Sequence, residues 1–216
     1  MRVGVICEGS TDFAVIEALA LELMPADECV QLHPNFDRLR AGETSAGTGW
    51  QAVRKFLRNA GPALGLGVYD ALIIQVDASI RFTGELANAK LRASRDGEPE
   101  LLPLCEHVRS WAEGGLPEGA VIALPREDLE SWLLAAHTNL KHIETQADAA
   151  EELAVRRLIA RTKSGAPDKD AKRYRALSVA LTELAKEPRK RRQVAELDRF
   201  VDKLLSLARA IRRQKV

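Results

Sequence analysis

The feature that most constrains the fold is the apolar run Ala-Leu-Ile-Ile at residues 71–74, inside a strand-like segment at residues 69–76. An almost continuous apolar run of this kind is typical of a central strand that is covered on both faces by helices. Three further short apolar segments predict strands at residues 3–7, 29–33 and 120–124. The chain is therefore predicted to contain four strands.

Apolar residues with helical spacing occur between and after these strands. The predicted helices cover residues 13–24, 50–59, 101–113, 127–137, 149–163, 171–187 and 189–213. Strands that alternate with helices imply right-handed crossovers and a mostly parallel sheet. We therefore predict an α/β fold, with a Rossmann-like, mostly parallel four-stranded sheet flanked by helices and followed by a helical C-terminal extension.

The predicted α/β domain covers residues 1–137, and a basic helical extension packed on it covers residues 138–216. The last helix carries an apolar seam at three- and four-residue steps, formed by Val194, Leu197, Val201, Leu204, Ala208 and Ile211. Such a seam favours packing on the body of the protein, and a coiled-coil homodimer is the alternative.

The composition is that of a globular protein, since 46% of the residues are apolar and 29% are charged. No apolar run approaches the roughly 20 residues that span a bilayer, and signal-peptide features are lacking at the N-terminus. We therefore expect a cytoplasmic protein without membrane contact. The three cysteines are widely spaced and indicate neither a disulfide framework nor a zinc motif.

Charge is divided unevenly along the chain. Residues 1–150 contain 22 Asp and Glu against 13 Lys and Arg, whereas residues 151–216 contain 9 against 19. A basic segment of this kind indicates either an anionic partner such as nucleic acid or attraction between the two parts of the chain.

Acidic residues follow three of the predicted strands. Glu8 comes after the first strand, Asp77 after the third, and Glu127, Asp128 and Glu130 after the fourth. Ligands of parallel sheets bind at the carboxyl ends of the strands. Crowded carboxylates need a cation or a proton between them, and oxygen ligands suit Mg²⁺ or Mn²⁺. The alternative for each single acid is that it caps the next helix.

Two motifs carry a resemblance to a known family. The sequence Glu8-Gly9 after a short apolar strand, then a helix, then Asp77 after a second strand, resembles the Toprim domain of topoisomerases, primases and OLD-type nucleases. The later stretch at residues 124–134, LPREDLESWLL, resembles a signature of small standalone Toprim-like proteins of bacterial defence neighbourhoods, including relatives of the RloB type. The resemblance covers residues 1–137 and extends to Lys169, Lys172 and Tyr174.

The resemblance implies roles for these residues. Glu8 is similar in position to the Toprim glutamate that acts as general acid/base or metal ligand, and Asp77 to the first residue of a metal-binding aspartate pair. The pair reads Asp77-Ala78-Ser79 here, so that Ser79 replaces the second aspartate. Glu130, or in second place Glu127, is expected to complete the metal site.

Basic segments of the C-terminal part are candidates for nucleic-acid binding, because Lys and Arg neutralise phosphates and an aromatic ring stacks on bases. These candidates are Lys169, Lys172, Arg173, Tyr174, Arg175, Arg189, Lys190, Arg191 and Arg192. The sequence thus predicts a Mg²⁺-dependent Toprim-type nuclease, in phage defence and with a partner protein from the same operon. The alternative is a catalytically silent Toprim-like module that binds a protein or nucleic acid.

Overall fold

A computed structural model describes residues 1–34, 47–64, 68–83, 101–139, 143–146 and 148–214. Within these ranges four strands form one sheet, namely β1 (Arg2–Ile6), β2 (Glu28–His33), β3 (Ala71–Gln75) and β4 (Ala120–Ala123). Their order is β2-β1-β3-β4, and each neighbouring pair is parallel. The predicted α/β fold with a parallel four-stranded sheet is confirmed.

The register of the strands brings their carboxyl ends together. Ile6 of β1 lies opposite Ile74 of β3, and Ile74 lies opposite Ile122 of β4. All five residues of β3 are buried, as the continuous apolar run predicts. Because the three strands end at the same level, the polar residues that follow them meet at one edge of the sheet.

Helices cover both faces of this sheet. The described helices are α1 (Ser10–Leu23), α2 (Trp50–Leu64), α3 (Leu102–Ser110), α4 (Glu130–His137), α5 (Ala149–Val155), α6 (Ala171–Lys186), α7 (Pro188–Arg191) and α8 (Ala195–Gln214), with 3-10 turns at Ala78–Phe82 and Ile143–Thr145. Residues of α2 and α3 share an apolar cluster with Ile6, Ile74 and Ile122 on one face. Residues of α1, α4, α5, α6 and α8 cover the opposite face, against Val5 and Ile73. None of the described helices is long and apolar enough to cross a bilayer.

The C-terminal helices share their core with the sheet. One apolar cluster contains residues of β1 and β3 together with Leu177 and Leu181 of α6 and Leu204 of α8. The six residues of the seam on the last helix are all buried within the chain. The seam therefore packs on the body, and it is not available for a coiled-coil homodimer.

Two predicted helices of the C-terminal part have different limits. The helix predicted at residues 149–163 ends at Val155, because Arg157 adopts a φ of 60° and an antiparallel bridge joins Arg161 to Pro167. The segment predicted as one helix at residues 189–213 is divided into α7 and α8.

Truncation of a seam residue tests the shared core. Leu204→Ala is expected to lower the free energy of unfolding by about 2 to 5 kcal/mol, because the residue is fully buried and the substitution leaves a cavity. Urea denaturation measures this change. The control Ser206→Ala lies on the exposed side of the same helix and should change stability by less than about 0.5 kcal/mol. Equal effects of the two variants would contradict the packing of α8 on the sheet.

Candidate functional site

Five carboxylates gather at the carboxyl edge of the sheet. Glu8 follows β1 by two residues, Asp77 follows β3 by two residues, and Asp128 and Glu130 follow β4. The fifth, Asp12, comes from the first turn of α1. The electrostatic influence of these residues on one another shows that they form one group, which we call the acidic cluster.

Hydrogen bonds fix Glu8 and Asp77 relative to each other. The backbone N–H of Asp77 donates to Glu8 Oε1 at 2.8 Å. The side chain of Gln75 joins the same two residues: its Oε1 accepts from Glu8 N at 3.3 Å, and its Nε2 donates to Asp77 Oδ1 at 2.8 Å. Gln75 is fully buried at the end of β3. Sequence analysis did not select it, although a polar residue that ends an apolar strand was a usable signal.

Asp12 is a second member of the site that was not predicted from the sequence. Helix α1 begins after Gly9, which has no side chain to cap it. The carboxylate of Asp12 reaches back to the N–H of Gly9, and a Cβ at position 9 would lie 3.3 Å from Asp12 Oδ2. This is the reciprocal half of a capping box, in which the third helical residue satisfies the N-cap N–H. Capping thus turns Asp12 toward the strand ends.

Glu130 is the most enclosed member of the acidic cluster, with 1% of its surface exposed. Two side chains from the C-terminal part contact its Oε1: the Nζ of Lys169 at 2.6 Å and the hydroxyl of Tyr174, which donates at 2.9 Å. The predicted stacking of Tyr174 on a base is wrong for this arrangement, because the ring is fully buried and has no free face. Lys169 lies at the acidic cluster rather than on a separate basic surface.

Burial and mutual repulsion raise the pKa of four acids of the acidic cluster, Glu8, Asp12, Asp77 and Asp128. Burial raises the pKa of Glu8, although the N–H groups of Asp77 and Trp50 act in the opposite direction. Burial and the charges of Glu8 and Asp12 raise the pKa of Asp77 well above its ordinary value. Carboxylates in this state take up protons more readily than isolated ones, or attract cations.

The pKa values of Asp12 and Asp128 are raised for the same reasons. Burial and the charges of Glu130 and Glu8 raise the pKa of Asp12 to about 7. Burial and the charge of Glu130 raise the pKa of Asp128 to about 7. Burial lowers the pKa of Lys169, but the adjacent carboxylate of Glu130 outweighs it and the net shift is upward. Lys169 is therefore a charged ammonium that compensates part of the negative charge.

Oxygen donors of this kind suit Mg²⁺ or Mn²⁺. Within the described ranges, no three His, Cys, Asp or Glu side chains are placed so that they could hold one ion between them. Mg²⁺ commonly binds through one or two carboxylates and keeps several waters, so the donors fit such an ion without a preformed cage. Ser79 lies half-buried in the 3-10 turn after Asp77 and adds no charge to this set.

Glu127 is not a member of the acidic cluster, because its carboxylate contacts Arg81. Its Oε1 accepts from Arg81 Nη2 at 3.2 Å, and Arg81 Nη1 donates to the carbonyl of Arg126 at 2.6 Å. Arg81 is almost fully buried, and its guanidinium stacks on Phe82 at 4.2 Å from the ring centroid. These contacts join the turn after β3 to the loop after β4, which carries Asp128. Glu127 thus helps to position the loop.

Several of the nine basic-segment candidates make contacts within the chain. Arg175 pairs with Glu17 at 2.5 Å. Arg191 is buried and pairs with Asp198 at 2.5 Å and with Asp202. Arg173 Nε donates to the carbonyl of Leu158 at 2.5 Å, and Lys190 Nζ lies 2.9 Å from Glu187 Oε2. Lys172, Arg189 and Arg192 are exposed and form no ion pair with the described residues.

Comparisons with protein-family models, curated proteins and solved structures gave no match. The case for a function therefore depends on the geometry of the acidic cluster.

The raised pKa of Asp12 predicts a specific pH dependence. Its folded pKa of about 7 lies above the ordinary value near 4, so the folded protein binds the proton more tightly. Its contribution to stability is present below about pH 4 and is lost as the pH rises to 7. Asp12→Asn should therefore stabilise the protein at pH 8 relative to wild type, and much less at pH 4.

Urea denaturation of wild type and variant across this pH range measures the difference. Glu106→Gln on the exposed side of α3 is the control, and its effect should be small at every pH. A pH-independent effect of Asp12→Asn would contradict the assignment of Asp12 to the acidic cluster.

Proposed function

We propose that the protein is a divalent-cation-dependent phosphodiesterase that acts on nucleic acid at the acidic cluster. The observation that carries the proposal is the convergence of five acids from three strand ends and one helix, four of them with a raised pKa. Clustered titratable groups with shifted pKa values mark functional sites. A purely structural role would need fewer acids here, since burying each charge costs solvation free energy.

Asp77 is the proposed ligand of Mg²⁺ or Mn²⁺, and the charges of Asp12, Glu130 and Asp128 act on it. The bound ion would polarise a phosphoryl oxygen. Glu8 is the proposed general acid/base, because its raised pKa brings proton exchange closer to neutral pH. The backbone N–H of Asp77 orients the carboxylate of Glu8.

The resemblance to Toprim enzymes supports the same assignment. Glu8 and Asp77 follow two adjacent parallel strands, which supports the proposal. Ser79 lacks the charge of a second aspartate, but Asp12 and Asp128 bring carboxylates to the cluster from other elements. We extend the proposal, on the resemblance alone, to a part in phage defence with a partner protein from the same operon.

Cleavage assays test this proposal. Purified protein with millimolar Mg²⁺ or Mn²⁺ should cut DNA or RNA, and EDTA should abolish the activity. Glu8→Gln and Asp77→Asn should each lower the rate by about 100-fold or more, because each removes a group that acts on the reacting phosphate. Glu106→Gln should retain the wild-type rate. Cleavage that survives EDTA, or that both site variants retain, would exclude this site.

A second candidate function is a catalytically silent module that binds a protein or nucleic acid. The observation that favours it is the Lys169 ammonium, which already contacts Glu130 at 2.6 Å. In that case the chain supplies its own cation, and the acidic cluster serves to attach the C-terminal part to the sheet.

Removal of this ammonium separates the two functions. If the cluster binds divalent cations, Lys169→Met should tighten Mn²⁺ binding several-fold, because a competing positive charge is lost. Lys172→Met, an exposed lysine three residues away, is the matched control. Titration calorimetry measures the affinity and thermal unfolding the stability. Absence of Mn²⁺ binding in both wild type and Lys169→Met, with a lower stability of the variant, would favour the silent module.

A further inference from the structure

Helix α2 begins beside the acidic cluster. The N–H of Trp50, its first residue, faces the carboxylate of Glu8. The preceding residue, Gly49, donates its N–H to the Glu8 carbonyl at 3.0 Å and adopts a φ of +83°, which favours glycine. A Cβ at position 49 would lie 3.7 Å from Glu8 Oε2. The first turn of α2 is thus fixed against the candidate site.

The outer face of α2 is polar and basic. Val53 and Leu57 are fully buried against the sheet. The other side lines an open groove of about 670 Å³, formed by Gln51, Arg54, Lys55, Arg58 and Asn59. These five positions recur at three- and four-residue steps, so they form one stripe along the helix. Three of the five are cations, and none is acidic.

This stripe differs from those cations of the C-terminal part that close ion pairs hold within the chain. Arg175 and Arg191 are held by close ion pairs with acids of the same chain. Arg58 has a longer contact with Glu113, at 3.8 Å, and the two side chains are 55% and 73% exposed. An ion pair that is open to solvent contributes little and exchanges readily with another anion. Lys55 and Arg58, the two exposed cations of the α2 stripe, are therefore available to a ligand.

We propose that the α2 stripe binds the sugar-phosphate backbone of a nucleic-acid strand and leads it to the acidic cluster. This inference rests on the proposed function, because it supplies the path of that substrate. The stripe spans nine residues, and the eight steps between them cover about 12 Å along the helix axis. At about 3.4 Å per nucleotide, it accommodates three to four nucleotides. Cations here offset the repulsion that the carboxylates exert on an approaching phosphate.

Charge removal on the stripe tests the proposal. The variant Lys55→Gln/Arg58→Gln is compared with the C-terminal variant Arg212→Gln/Arg213→Gln, which removes two exposed charges from the last turn of α8. Fluorescence anisotropy with labelled single-stranded DNA and RNA 12-mers, in EDTA at several salt concentrations, measures affinity without cleavage. The α2 variant should bind about tenfold or more weakly, with a salt slope lower by about 1.4, the value for two phosphate contacts on a single strand. The C-terminal variant should bind like wild type.

The outcomes distinguish this inference from the proposed function. Weaker binding by the α2 variant supports the path, even if wild type cuts no substrate and the proposed activity fails. Wild-type affinity and an unchanged cleavage KM in the α2 variant overturn the path, while cleavage by wild type leaves the proposed function intact. Loss of binding in the C-terminal variant alone also overturns it. Binding of an acidic polypeptide, poly-Glu, equal to that of the oligonucleotides would overturn the assignment to nucleic acid.

Discussion

Much of the structure depends on the contacts of the Glu130 carboxylate. It is almost fully buried at the start of α4, and it meets the ammonium of Lys169 and the hydroxyl of Tyr174. A buried charge without partners would be strongly destabilising, so these contacts oblige the C-terminal part to pack against the edge of the sheet. The same contacts bring a positive charge to the acidic cluster. Structural attachment and the electrostatics of the candidate site thus share one side chain.

The uneven distribution of charge along the chain has a partly internal explanation. Basic residues of the C-terminal part pair with acids of the first 150 residues in Lys169–Glu130, Arg175–Glu17 and Lys186–Glu22. Attraction between the two parts of the chain, one of the two interpretations open from the sequence, therefore accounts for some of the asymmetry. Exposed cations such as Arg189 and Arg192 are not explained in this way.

Sequence analysis predicted the elements that depend on local pattern. The strands followed from short apolar runs, and Glu8 and Asp77 could be placed at one edge because parallel strands end together. The contacts of Gln75 with Glu8 and of Tyr174 with Glu130 could not be predicted, because each joins positions far apart in the chain. Glu127 was grouped with its acidic neighbours, since adjacency in sequence does not show that its carboxylate faces Arg81. Periodicity determines which face a residue occupies, whereas its partners depend on the packing of separate elements.

The amide of Gln75 has a consequence for where protons reside. Its Oε1 accepts from a backbone N–H, that of Glu8, so its Nε2 must be the group that faces Asp77 Oδ1. An amide NH₂ only donates, and it does not titrate near neutral pH. A proton taken up by Asp77 is therefore directed to Oδ2. The carboxylate of Glu8 differs, because it faces two backbone N–H groups, those of Asp77 and Trp50, and both favour its charged form. Asp77 thus keeps one oxygen for the scaffold and one for proton exchange, whereas the scaffold opposes protonation of Glu8.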